Sequence, residues 1–191
     1  MTTLTGSVEL LNRALGYTRA RLATVRPELL GRPTPCEAWT LADLLAHMED
    51  GLDAFTEAAG GSVEVRGGSS AAGRVAALQT KACALLAVWA RPAPGDVVIE
   101  TPSAHVDLGM PTLLAAAALE VTVHGWDVGQ ATGERAAIPA GLAQQLLPVA
   151  HRLVGPGDRG VRFAAARPGT AFAPYDLRLL AFLGRGRRLG T

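Results

Sequence analysis

The sequence predicts an all-α protein: a four-helix bundle with a short β-hairpin before its last bundle helix and a helical C-terminal extension. Three observations carry this. Nearly half of the 191 residues are apolar (49%), enough for a substantial core. Aromatic residues are only 5%, and Ala and Leu dominate, which favours close-packed helices. Apolar residues recur at helical spacing through most of the chain.

The elements follow in order. Leu10, Leu11, Leu15, Tyr17, Leu22 and Val25 mark a first helix over about Ser7–Leu30. Two prolines in GRPTPCEAW break it. Thr40 is a good N-cap with Asp43 three places on, a variant of the capping box, so a second helix starts at Leu41 and runs to about Ala59. Its apolar stripe is Leu41, Leu44, Leu45, Met48, Leu52 and Phe55. GGSVEVRGGSS reads as a loop. A third helix, about Ala71–Ala90, carries Val75, Leu78, Cys83, Leu86 and Trp89. VVIE and HVDLG, flanking TPSA, read as the hairpin. Pro111 suits the first turn of a fourth helix that stops at Gly133. A fifth spans about Pro139–Leu153. VRF in the irregular stretch after it is a candidate strand, and YDLRLLAFLG is a closing helix that should pack back on the bundle. With no low-complexity linker and no internal repeat, residues 1–191 are read as one domain.

Bulk properties exclude several functions. The formal charge is +1 with no basic stripe, so nucleic acid is not an expected partner. No apolar run approaches the roughly 18 residues of a membrane span. The N-terminus lacks a basic region followed by an apolar core, so no secretory signal is expected. Cys36 and Cys83 do not make a disulfide framework; both are expected as reduced thiols in a cytoplasmic protein.

The chemistry-bearing pattern is Glu120 and His124, four apart in LEVTVHGWDVGQATG, together with His47 in PCEAWTLADLLAHMED. Residues at i and i+4 point from nearly the same helical face and can grip one ion. Val121, Val123, Trp126 and Val128 make the neighbourhood apolar, and a buried carboxylate needs a cationic or metallic partner. His47 is the candidate third ligand; Gly51 leaves room beside it, and small residues over Ala115–Ala118 allow another helix to approach. Imidazole and carboxylate suit zinc or another first-row divalent ion, with Ni2+, Fe2+ and Mn2+ open. Three protein ligands leave one position free, the pattern of a catalytic site. The competing reading is a common surface Glu–His pair and a core histidine. Asp127, three residues beyond His124, is a candidate base or hydrogen-bond partner for that histidine, with a helix-ending surface Asp as its bland alternative; Asp50 is similarly placed after His47. Cys36 precedes a helix start, where a thiolate would be stabilised, but packing is the expected role. Trp39 and Trp126 read as wedges between helices, with Trp126 a candidate for the pocket mouth. His105 and His151 have no partner in sequence, and Arg185, Arg187 and Arg188 read as a solvated terminus.

PTPCEAWTLADLLAHMED, LEVTVHGWDVGQATG and the terminal LLAFLGR together resemble the DinB-like superfamily, within it the group containing the metal-binding domain of mycothiol-dependent maleylpyruvate isomerase. The resemblance implies a four-helix bundle holding a divalent metal, usually zinc. The ligands are a His on the second helix and a Glu-x-x-x-His on a later one, roles that fall on His47, Glu120 and His124. It also implies mycothiol as a thiol co-substrate, activated at the metal for addition to an alkene and elimination from it, which is cis–trans isomerisation. The isomerase carries a further C-terminal domain that contributes to its active site, where this chain has a short appendage, so the resemblance leaves the maleylpyruvate reaction itself open. The leading expectation is a thiol-dependent transferase or isomerase acting on a small molecule. A thiol-free hydrolase, isomerase or cyclase of specialised metabolism is the second, and a non-catalytic metal-binding or stress-response module the third. A homodimer suits a bundle of this size, though no residue marks an interface.

Overall fold

The computed structural model describes residues 4–36, 38–60, 73–89, 97–101, 104–160, 162–169 and 171–186; for residues 59–60, 86, 88–89 and both strands it describes the backbone alone. The chain is mostly helical. It divides into two compact units, Met1–Arg135 and Ala136–Thr191.

Four helices build the first unit among the described residues: α1 (Leu4–Leu22), α2 (Leu41–Gly60), α3 (Arg74–Trp89) and α4 (Met110–Thr132). α1 lies along α4, α3 lies along α2, and α2 also meets α4. Between α3 and α4, Val97–Thr101 (β1) and Ala104–Leu108 (β2) pair antiparallel, with Val97 opposite Leu108 and Thr101 opposite Ala104.

α1 ends eight residues earlier than expected. Pro27 biases the residue before it away from the α region, and Arg26 is extended, with φ −129° and ψ 153°. Thr24 closes the end by donating its hydroxyl to the Arg21 carbonyl at 2.7 Å. A single 3-10 turn, Pro27–Leu29, replaces the last helical turn that the spacing suggested.

α2 starts where its cap predicts. Asp43 accepts both from the Thr40 amide (3.0 Å) and from the Thr40 hydroxyl (2.6 Å), and its own amide donates to that hydroxyl at 3.3 Å. Leu41, Leu44 and Leu45 are wholly buried. This start fixes the helical phase of everything after it, His47 included.

In α3 the stripe is shifted from the expected one. Leu78 and Leu85, seven apart, enter the core, whereas Cys83 is exposed. Residues 71–72 of the expected helix, the Gly- and Ser-rich stretch 61–70, and Arg187 and Arg188 lie outside the described residues.

α4 is the central helix. Most of its residues are buried, Thr122 and Asp127 included. Pro111 sits in its first turn, and Gly133, at φ +89°, ends it in the left-handed conformation, its amide bonding the Gly129 carbonyl. Gly125 lets α1 approach: a Cβ there would overlap the Thr18 hydroxyl and lie 3.1 Å from the Thr18 Cα. Thr18 uses that closeness to donate to the Val121 carbonyl at 2.7 Å. Further along, Thr24 meets Thr132 (2.9 Å) and Arg21 pairs with Glu134 (3.0 Å).

The second unit contains α5 (Ala140–Leu153), a 3-10 turn at Pro156–Asp158 and α6 (Tyr175–Phe182), with α5 and α6 packed together. His151 stacks on Phe182 with ring centroids 4.1 Å apart, and Arg159 lies over the same ring and donates to the Phe182 carbonyl. Where VRF suggested a strand, there is a single bridge between Arg159 and Phe163; Val161 is outside the described residues. Among the described residues no helix is long and apolar enough to cross a membrane.

Candidate metal centre

The site is built on α2 and α4. α4 presents Glu120 and His124 one turn apart, and α2 presents His47 opposite them. The Glu120 Oε1 atom lies 2.8 Å from His47 Nε2 and 3.0 Å from His124 Nε2. One carboxylate oxygen is thus held between two imidazole nitrogens, and the three donor atoms fall within 4.8 Å of one another. The side chains are 39% exposed for His47, 34% for Glu120 and 9% for His124, so the cluster is reachable from solvent on its His47 side.

A second layer lies behind His124. Its Nδ1 is 3.1 Å from Asp127 Oδ2, one helical turn on, and the Asp127 side chain is wholly buried. The Cys36 thiol donates to that same Oδ2 at 3.4 Å and lies 3.9 Å from His124 Nδ1. His124 is therefore bound on both nitrogens. With Asp127 accepting the Nδ1 proton, the neutral ring has its Nε2 lone pair aimed at the Glu120 side, the tautomer that a metal ligand needs.

The loop over residues 32–41 delivers Cys36 and Trp39. Thr34 organises it: its amide donates to the Trp39 carbonyl (3.0 Å), and its hydroxyl accepts from the Cys36 amide (3.2 Å) and contacts the Trp39 carbonyl. Ala38 turns the chain at φ +65°, a left-handed conformation uncommon for a residue with a Cβ. The Trp39 ring consequently lies against the site, its centroid 4.8 Å from the His47 ring and 6.4 Å from that of His124.

Charge follows geometry. Burial alone would raise the Glu120 pKa, but His124 and His47 outweigh it and hold the carboxyl well below the usual carboxylate range. Burial alone would lower that of His124, yet Glu120 and the hydrogen bonds to Asp127 and Cys36 hold it well above the usual histidine value. In the metal-free chain a proton thus occupies the space between an imidazole and a carboxylate. A divalent cation would replace that proton and satisfy the same three donors. Two imidazoles and one carboxylate are a hard-to-borderline donor set that suits zinc and its first-row neighbours. Cys36, His124 and Asp127 form another group with metal-ligating atoms in reach, sharing His124 with the first.

Other expected positions fall elsewhere. Asp50 is exposed and outside the cluster. Trp126 is 2% exposed and packs in the core rather than at a pocket mouth. Trp39 lies beside the imidazoles of His47 on α2 and His124 on α4. Cys36, expected as packing, sits in the hydrogen-bonded layer behind His124. The signal that would have found it is its place in the loop just before the Thr40 cap, which carries it back across the end of α2 toward α4. The backbone of His105 lies on β2.

A model of the Mycothiol maleylpyruvate isomerase N-terminal domain family matches residues 11–129, which contain the whole cluster. The chain belongs to this family. Two of its relatives are uncharacterised proteins from two strains of Mycobacterium tuberculosis, each 34% identical over 91% of this chain and 94% of the relative. Two solved structures share the family fold. A crystal structure of a His-to-Ala mutant of the mycothiol-dependent maleylpyruvate isomerase matches with TM-score 0.63 at 14% identity, covering 78% of this chain and 68% of the other. A second structure of that isomerase matches with TM-score 0.57 at 17% identity over the same shares.

Proposed function

We propose that this family member is a divalent-metal-dependent enzyme that uses a low-molecular-weight thiol, mycothiol by family membership, to transfer to or isomerise a small molecule. The observation that supports it most is the convergence of His47 Nε2, Glu120 Oε1 and His124 Nε2, of which Glu120 and His124 also line a cavity. In this reading those three side chains hold the ion, zinc or another first-row divalent metal. When bound, such an ion acts as a Lewis acid that lowers the pKa of a thiol or water beside it.

The chain's own residues supply the rest. Asp127 keeps the His124 ring in one tautomer and one orientation by accepting its Nδ1 proton, a positioning role; this replaces a direct catalytic role for Asp127, because its side chain is wholly buried behind the histidine. Cys36 donates to the same carboxylate oxygen and holds it in place. Trp39 packs against the His47 ring and fixes one side of the cluster. The three protein donors leave room for a further ligand from the cavity, which is how a reacting thiol would be placed. Addition of a thiolate to an activated double bond, rotation, and expulsion of the same thiolate would return the thiol and leave the isomerised alkene.

The test is turnover of activated alkenes by the metal-loaded full-length chain, with and without mycothiol. Turnover that requires both metal and thiol is the expected result. Metal-dependent turnover indifferent to the thiol would replace this reading with a hydrolase or cyclase using the same residues. Absence of any bound metal would replace it with a non-catalytic module.

A further inference from the structure

Glycine inside a helix is unfavourable relative to alanine and needs a reason. For Gly125 and Gly129 in α4 the reason is close approach of α1: a Cβ at Gly129 would press to 3.3 Å on the Arg21 side chain. Gly16 in α1 and Gly51 in α2 have no such neighbour. No heavy atom lies within 4 Å of a Cβ built at either position. Both border one cavity of about 500 Å3, lined by residues of α1, α2, α3 and α4 and open at its rim. The two missing side chains keep this space open.

The walls are mostly hydrocarbon, from Leu15, Met48, Leu52, Phe55, Leu78 and Val121. Glu120 and His124 also line it, so the cavity and the candidate metal centre are continuous. Of the other polar side chains at the wall, Thr18 is buried and donates to the Val121 carbonyl, Gln79 is half-buried, and Asn12, Arg19 and Thr80 belong to exposed residues that mark the rim. From Met48 to Phe55 the α2 wall runs roughly 10 Å at 1.5 Å per residue, about the length of eight extended methylenes.

We propose that this cavity takes the apolar body of an amphipathic small molecule, an alkyl chain or hydrocarbon ring of about eight carbons, bearing one carbonyl or carboxylate head directed to Glu120 and His124. The head depends on the metal reading above; the body depends on the cavity alone. A short dicarboxylate fits poorly, because it has no hydrocarbon body to bury against the leucine and methionine walls.

Calorimetric titration of the purified full-length chain with butanoate, hexanoate, octanoate and maleate tests this. Each added methylene should tighten binding roughly three- to fourfold, and octanoate should bind far more tightly than maleate. Gly51→Leu places a side chain in the open space and improves helix propensity, so it should keep or raise the melting temperature while octanoate falls to the affinity of butanoate. Should that variant fail to fold, Gly16→Leu makes the same test from α1. Repeating the series with chelator separates the two readings. Losing the metal lowers every affinity by a similar factor, while the increment per methylene survives. Affinity indifferent to chain length, maleate binding as tightly as octanoate, or an undiminished increment in a folded Gly51→Leu variant would overturn the proposal.

Discussion

Asp127 shows how far a single buried atom can set a site. Its carboxylate has no exposure, and it meets His124 Nδ1 at 3.1 Å and the Cys36 thiol at 3.4 Å. Asp127→Asn preserves the shape but presents an amide that cannot orient the ring in the same way. The expected outcome is a roughly 10- to 100-fold loss of metal affinity with helical circular dichroism unchanged, measured by competition with a chromophoric chelator. Protonation gives a second prediction at this scale. In chelated protein His124 has a raised pKa, so its contribution to stability is fully present below its ordinary value of 6.5 and is lost as pH rises through the raised value. Glu120 has a lowered pKa, so its contribution is present above its ordinary value of 4.5 and is lost on acidification. The melting temperature of the chelated protein should therefore be highest at about pH 5–6 and fall toward pH 9. Metal stabilisation should run the other way, growing with pH as the competing proton leaves. A chelated melting temperature that climbs into the alkaline range would contradict this account of the cluster.

Among the elements, the α1–α4 crossing is a contact that a single methyl group would disturb. Gly125→Ala gains helix propensity but drives a Cβ into Thr18, whose backbone stands 3.1 Å away. The net expectation is a loss of about 1–3 kcal/mol, read from chemical denaturation. The crossing lies one residue from His124, so metal affinity should fall in the same variant. Much of the element order was legible because each boundary carries local chemistry: Thr40 with Asp43 at the start of α2, Pro111 and Gly133 at the ends of α4. The end of α1 was misread because the apolar spacing continues past Leu22, and the periodicity does not register what Pro27 does to the residue before it. The α3 stripe was misread for a related reason. A run rich in Ala and Leu has no sharp apolar face, so Cys83 and Leu85 could not be told apart by spacing alone.

Across the whole molecule, the candidate centre was more legible than its surroundings. Glu120 and His124 announce themselves by separation on one helix, and His47 by its phase in α2. The layer formed by Cys36 and Trp39 was not legible, because it depends on a loop whose path is fixed by Thr34 hydrogen bonds and a left-handed Ala38. The cavity was only hinted at, through Gly51, since its other walls come from three different helices. The division into two compact units was not visible either; apolar segments continue beyond residue 135 without a change in composition. The central claim is that two imidazoles and a carboxylate of this chain jointly hold one divalent ion. Elemental analysis of chelator-free, full-length protein beside His47→Ala tests it most directly. About one equivalent of a first-row divalent metal per chain, lost in the folded variant, is the predicted result. Full occupancy in His47→Ala, or a native chain that takes up no metal even when it is supplied, would contradict the claim.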